Sequence, residues 1–178
     1  MIITKKRQQE AFKVLKETGG YKNVMAAPRL MKVVVSSGVG SAKDKNRNKM
    51  VAERLGRITG QLPATRVAKQ SVASFKSREG DIVGYQVTLR GARMFDFIDK
   101  LIHIALPRTR DFRGLNATAI DEMGNLTIGI RESSIFPETS EEDLKDVFGL
   151  AVTVVTSAKT RKEAEAFLRH IGFPLKVA

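Results

Sequence analysis

The sequence contains no cysteine, which excludes disulfide staples, thiolate nucleophiles and cysteine-ligated zinc and fits a reducing compartment. With only two histidines, a histidine-built metal site has little to draw on. No uncharged stretch approaches the roughly 18 residues that span a bilayer. Residues 1–7 turn basic at once and lack the apolar run of a secretory signal. The expectation is a soluble, cytoplasmic protein that holds no metal and needs no cofactor. Acid is scarce as well: 19 Asp and Glu stand against 31 Lys and Arg among 178 residues, a net charge of +12. Hydrophobic residues make up 42%, enough for a core, and the length suits one domain, taken as 1–178, or at most two small ones.

The excess charge is one-sided. Residues 1–93 hold 20 Lys and Arg against 6 Asp and Glu, whereas residues 94–178 hold 11 against 13. A surface made basic only for solubility has no reason to be so uneven. A concentrated block of cations is instead the electrostatic footprint of nucleic-acid binding, and it repels itself unless a polyanion offsets it.

Apolar spacing predicts a helix over residues 5–16 with Ala11, Phe12 and Leu15 inward, closed by Gly19 and Gly20. A strand follows at 30–37, with Met31, Val33 and Val35 facing one way and Lys32, Val34 and Ser36 the other. Residues 44–58 read as a helix with Met50, Val51, Leu55 and Ile58 inward and a row of cations outward. Residues 63–69 and 81–90 read as a hairpin joined by the unusually long connection 70–80. Residues 94–105 are apolar nearly all round, which predicts a buried helix stopped by Pro107. Strands are expected at 126–131 and 151–156. The last helix, 160–171, opens with a capping box of Thr160 and Glu163 and ends at Gly172.

This order of elements predicts an α+β fold: a mostly antiparallel sheet with helices on one face, an open polar face and a long hairpin loop. The open face would gather Lys32, Ser36, Gln86, Thr88, Arg90, Thr127, Arg131 and Thr153. None is aromatic, so the face lacks the stacking platform of single-strand readers and suits the backbone and 2′-hydroxyls of folded RNA. An ordinary solvated sheet face is the alternative reading.

Candidate chemistry elsewhere is thin. The stretch from Ser37 to Lys43, with Gly38 and Gly40, lies between a strand and a helix but fails the spacing of both nucleotide-binding glycine motifs, although its amides beside Lys43 could approach a phosphate. His103 and His170 have no acid–base partner nearby in sequence and read as structural. The acidic group Glu138, Glu141, Glu142, Asp143 and Asp146 reads as the first turn of a short helix capped by Thr139 or Ser140. No serine stands in a nucleophile motif, and the chain is not expected to be an enzyme. The long loop is the exception. Ser71, Ser74, Phe75, Lys76, Ser77 and Arg78 combine hydroxyls, cations and one aromatic, a set that suits RNA sugar and phosphate unless Phe75 folds back on the core.

Several blocks are specific enough to name a family. Tyr21-Lys22-Asn23-Val24-Met25 with Pro28-Arg29, Ser71-Val72-Ala73 with Phe75-Lys76, and Val87-Thr88-Leu89-Arg90-Gly91 are three of them. Arg110-Asp111-Phe112-Arg113-Gly114-Leu115 and Ile135-Phe136-Pro137-Glu138 are the most distinctive. Together, and in register over nearly the whole chain, they closely resemble the bacterial-type large-subunit ribosomal protein of the L-five family.

The resemblance implies a non-enzymatic protein that attaches 5S rRNA to the large-subunit rRNA in the central protuberance. It implies 5S contacts at Ser36, Gln61 and Thr88, and an approach of the loop 71–80 to the peptidyl-site tRNA. It also implies a bridge to a small-subunit head protein, for which Arg108, Arg110, Arg113 and Phe136 are the candidates. The protein would be a monomer outside the ribosome. One departure is that Ser36-Ser37 stands where the family usually has Asn-Met. Serine keeps a donor and an acceptor but reaches less far, so a bridging water or weaker bond is the alternative to direct contact there. A different class of function, an off-ribosome RNA chaperone with low target preference, would share the same basic surface.

Overall fold

The computed structural model describes residues 3–19, 21, 23–40, 45–139 and 147–176. Strands β1 (Leu30–Gly38), β2 (Ala64–Val67), β3 (Ile82–Leu89), β4 (Leu126–Ile130) and β5 (Leu150–Thr156) form an open sheet in the order β2-β3-β1-β5-β4. Among the described residues the α-helices are α1 (Ile3–Gly19), α2 (Lys45–Thr59), α3 (Gly91–Lys100) and α4 (Arg161–Ile171). This is the α+β, antiparallel architecture that the alternation of the sequence predicts. The chain divides into two compact units, one of residues 1–33, 89–128 and 153–178 and the other of residues 34–88 and 129–152.

In the second unit, Val35 and Ser37 of β1 and Tyr85 and Val87 of β3 are buried, while Val34, Ser36, Gln86 and Thr88 are half-buried. Helix α2 turns Val51, Leu55 and Ile58 into the core, each worth about 1.5–3 kcal/mol relative to exposure. Met50, expected with them, is only half-buried, and Arg54, expected in the outward row of cations, is buried. The reason is helical geometry: Arg54 follows Val51 by three positions and so shares its face. Strand β2 is shorter than its sequence suggests and pairs antiparallel with β3, with Ala64 opposite Gln86, Arg66 opposite Gly84, and a bulge before Val67. A Cβ on Gly84 would lie 2.8 Å from the carbonyl oxygen of Ser37, so β1 and β3 approach too closely for any side chain there. Ser37 is internal, its hydroxyl donating to the Gly149 carbonyl at 2.7 Å.

In the same unit Phe136 is fully buried, together with Ile135 and Phe148. Its ring serves the core, which corrects the expectation that it faces a protein partner. Thr139 is buried too and donates to the Ser133 carbonyl at 2.6 Å. Ser140, Glu141, Glu142, Asp143 and Asp146 of the expected acidic helix start lie outside the described residues, as does Lys43.

In the first unit α1 packs against α3 and α4 through Ala11 and Leu15. It starts earlier and runs longer than its apolar stripe. Asp99 of α3 accepts both the backbone N–H of Thr4, at 3.0 Å, and the Thr4 hydroxyl, satisfying donors at the helix start from a distant element. Strand β1 begins with Leu30 buried and Met31 40% exposed, so the expected inward set holds only from Val33. At this strand entry Leu30 N–H donates to Gln8 Oε1 of α1, at 2.9 Å.

Helix α4 carries the expected N-cap, Thr160 Oγ accepting the Glu163 N–H at 3.3 Å. The Glu163 carboxylate accepts instead from Lys159 N–H, at 2.8 Å, and from the Tyr21 hydroxyl. Burial, then this acceptor and its charge, push the Tyr21 phenol well above its ordinary value. At the other end Gly172 adopts φ +111°, and Arg7 Nη1 donates to the Ile171 carbonyl at 2.7 Å, placing a cation at the negative end of the helix. His170 Nε2 lies 2.7 Å from the Arg7 carbonyl, the structural role its sequence context suggests.

The apolar segment after β3 is not one uniform helix. Helix α3 gives way to a π-helical turn, Leu101–Ala105, closed by Leu106 N–H donating to the Leu101 carbonyl at 2.9 Å. Met94, Phe97, Ile98, Leu101 and Ile102 are buried, but the wider turn leaves His103 exposed and Ile104 42% exposed. The expectation of a helix buried nearly all round is corrected accordingly.

Candidate nucleic-acid interface

Strands β1 and β3 are neighbours in the sheet, and pleating sends alternate side chains away from the core. In the second unit this presents Ser36, Gln86 and Thr88 as half-buried polar groups. Gln86 Oε1 accepts from Arg66 Nε at 2.6 Å. Arg66 is not among the sequence candidates, yet pleating puts it on the same face of β2 as Ala64, the residue that pairs with Gln86. That alternation was the available signal. Gln61 lies in the turn after α2, half-buried, its carbonyl accepting from the Thr59 hydroxyl at 3.0 Å. Hydroxyl, amide and guanidinium groups here offer both donors and acceptors to a sugar–phosphate backbone.

The loop between β2 and β3 belongs to the same unit. It is a shaped extension of the hairpin: Val72 and Ser77 exchange backbone hydrogen bonds of 3.1 and 3.3 Å around a 3-10 turn, Ala73–Phe75. Lys76 closes that turn in the left-handed region at φ +48°. Phe75 is 81% exposed, which rules out its folding back on the core. Ser71, Ser74, Lys76 and Arg78 are exposed and Ser77 is half-buried. Lys76, Ser77 and Arg78 also line a cleft on the inner side of the loop, with Gly40 and Asn48.

Apart from Arg131, exposed just after β4 in the second unit, and the buried Phe136, the remaining candidates lie in the first unit. Lys32 is half-buried on β1, and Arg90 is exposed at the N-cap of α3. Thr127 of β4 and Thr153 of β5 bring their hydroxyls within 3.1 Å of each other. Arg108, Arg110 and Arg113 are all exposed on a loop containing Asp111 at φ +54°. That loop is fixed at its end, with Leu115 N–H donating to the Pro174 carbonyl and Lys176 N–H to that of Leu115, both at 2.8 Å.

Comparison with known proteins decides what these surfaces belong to. The family model described as Ribosomal protein L5 matches residues 23–78, and the model of the C-terminus of the same ribosomal family matches residues 82–175. The chain belongs to the ribosomal protein L5 family. Among relatives of this L5-family chain, the large ribosomal subunit protein uL5 of Rubrobacter xylanophilus is 48% identical over 170 residues, covering 95% of this chain and 94% of that protein. The protein of the same name from Heliobacterium modesticaldum is 46% identical over 176 residues, covering 98% and 97%. That of Natranaerobius thermophilus is 46% identical over 161 residues, covering 90% of each. Both matching models describe a ribosomal protein and neither describes a catalytic family.

Proposed function

We propose that this L5-family chain is a structural constituent of the large ribosomal subunit, acting over its whole length as one RNA-binding domain. In this reading Ser36, Gln61, Gln86 and Thr88, with Lys32 and Arg90, bind 5S rRNA and attach it to the large rRNA. The loop 71–78 touches the peptidyl-site tRNA. Arg108, Arg110 and Arg113 meet a small-subunit head protein, and Phe136 is left out because it is buried. The relatives, each named a large ribosomal subunit protein, support the ribosomal assignment.

The observation that carries the RNA-binding mode is the row of polar side chains on β1 and β3 in the second unit, Ser36, Gln86 and Thr88, with the Arg66 guanidinium bonded to Gln86 and no aromatic ring among them. Such a row has no ring to stack on a base. It reads phosphate and ribose contours instead.

Hydroxyl-radical footprinting of the free protein on 5S rRNA, with an unrelated RNA hairpin as competitor, tests the reading. A localised footprint that the competitor does not erase is expected. Equal affinity for the two RNAs would favour the chaperone instead. Affinity should also fall with salt, by a log–log slope of about 0.7 to 0.9 per neutralised phosphate.

A further inference from the structure

The loop is closed by its own atoms from stem to tip. At the stem, Ala68 N–H donates to the Asp81 carbonyl at 2.8 Å and Gly80 N–H to that of Ala68 at 3.1 Å. In the middle, Asp81 Oδ2 accepts the N–H of Arg78 at 2.8 Å, while Asp81 N–H returns a bond of 3.1 Å to the Arg78 carbonyl. Ser71 Oγ accepts the N–H of Glu79 at 2.9 Å. Beyond these rungs come the Val72 and Ser77 pair and the bond from Lys76 N–H to the Ala73 carbonyl, 3.0 Å.

Two of these acceptors are side chains, and one of them carries the wrong charge for its surroundings. A carboxylate beside Lys76 and Arg78 in a loop aimed at a polyanion repels phosphate, so electrostatics alone argues against it. Its use is geometric: the carboxylate is engaged by a backbone amide of the loop. We infer that Asp81, together with Ser71, is a positioning residue that holds residues 75–78 in their RNA-binding shape before RNA arrives. A loop already ordered loses less conformational freedom on binding, and the saving appears as affinity. This inference rests on the reading of the loop as a tRNA contact.

The two views of Asp81 predict opposite signs. If its charge is what matters, Asp81→Ala removes a repulsion and tRNA leaves more slowly. If its position matters, Asp81→Ala loosens the loop and tRNA leaves faster. The experiment measures release of peptidyl-site tRNA from ribosomes assembled with full-length variants. We expect Asp81→Ala to speed release about fivefold, the effect of one lost hydrogen bond. Asp81→Asn keeps an acceptor for Arg78 N–H and should remain close to the parent. Ser71→Ala, which alters no charge, should speed release as well.

The combined Lys76→Ala and Arg78→Ala variant tests the underlying reading, and it too should release faster. If it does while Asp81→Ala is unchanged or slower, the positioning role is refuted and the tRNA contact stands. If removing both cations has no effect, the contact falls and the inference with it. Amide exchange in the free chain gives a second readout. Arg78 and Glu79 N–H should exchange faster in Asp81→Ala and Ser71→Ala respectively, at an unchanged urea midpoint. Unchanged exchange would refute the staple.

Discussion

Gly84→Ala is the substitution whose cost can be worked most directly from the geometry. The added methyl would sit 2.8 Å from the Ser37 carbonyl oxygen and 3.7 Å from both the Ser37 carbonyl carbon and Gly38 Cα. These are backbone atoms of the adjoining strand, so no rotamer change relieves the contact. β1 and β3 must part by a few tenths of an ångström. Forcing a methyl into a filled space costs about 1–3 kcal/mol. The lower conformational freedom of alanine in the unfolded chain returns about 0.4–1 kcal/mol. A net loss of about 1–2 kcal/mol corresponds to a fall in Tm of about 3–6 °C for a chain of this size.

Thermal or urea unfolding checks this, with Gly129→Ala on β4 as the control, because nothing lies within 4 Å of a Cβ there. The control should be neutral or slightly stabilising. Because Ser37 directly follows Ser36 on β1, a shift of that strand by Gly84→Ala should also weaken 5S rRNA binding, by moving Ser36 against Thr88. A Gly84→Ala protein as stable as its parent would mean that strand proximity does not explain the glycine.

Other consequences are as direct. Thr88→Val keeps shape but removes a hydroxyl and should weaken 5S rRNA binding by about 1 kcal/mol with unfolding unchanged, as filter binding would show; undiminished affinity would move the interface off β3. Gly172→Ala places a methyl on a residue at φ +111° and against Arg7 Nη1, so it should displace that cap and lower stability by about 1–2 kcal/mol in urea. Asp121 gains from acid titration as a probe. Desolvation pulls its carboxyl upward, but N–H groups of Asn125 and Met123 outweigh that and hold it below the usual carboxylate value. Its contribution to the turn is therefore complete above about pH 4 and is lost as pH falls through the lowered value. The Asn125 amide, bonded to Asp121 Oδ1 at 2.6 Å, should report that loss by NMR, and an amide shift titrating above pH 4 would contradict the assignment.

The elements legible in the sequence were those whose signals are local. Alternation in Tyr85, Val87 and Leu89 gave β3 its faces, and Thr160 with Gly172 bounded α4 within a residue. What stayed hidden depends on partners far along the chain. The start of α1 is set by Asp99, some 95 positions away, and Leu30 N–H at the entry to β1 donates to Gln8. The burial of Arg54 and Phe136 reflects the elements that cover them, which periodicity on a single segment does not contain. The interface candidates on β1 and β3 emerged from pleating alone. Arg66 is missed because the sequence pattern extends β2 over residues 63–69 and marks neither of its faces as inward. The family blocks marked the loop as special, but its internal staples are tertiary facts.

The π-helical turn at Leu101–Ala105 makes the aim of the arginine loop a matter of counting. Such a turn accommodates one residue more than an α-turn would, and each residue in an α-helix advances the chain by about 100° around the axis. Deleting a single residue there would let α3 run on regularly with its exit direction kept, whereas deleting one from the regular part of α3 would turn everything beyond it, Arg108, Arg110 and Arg113 included, by about 100°. The π turn is thus the place in this segment where the count of residues can change by one without turning the three guanidinium groups away.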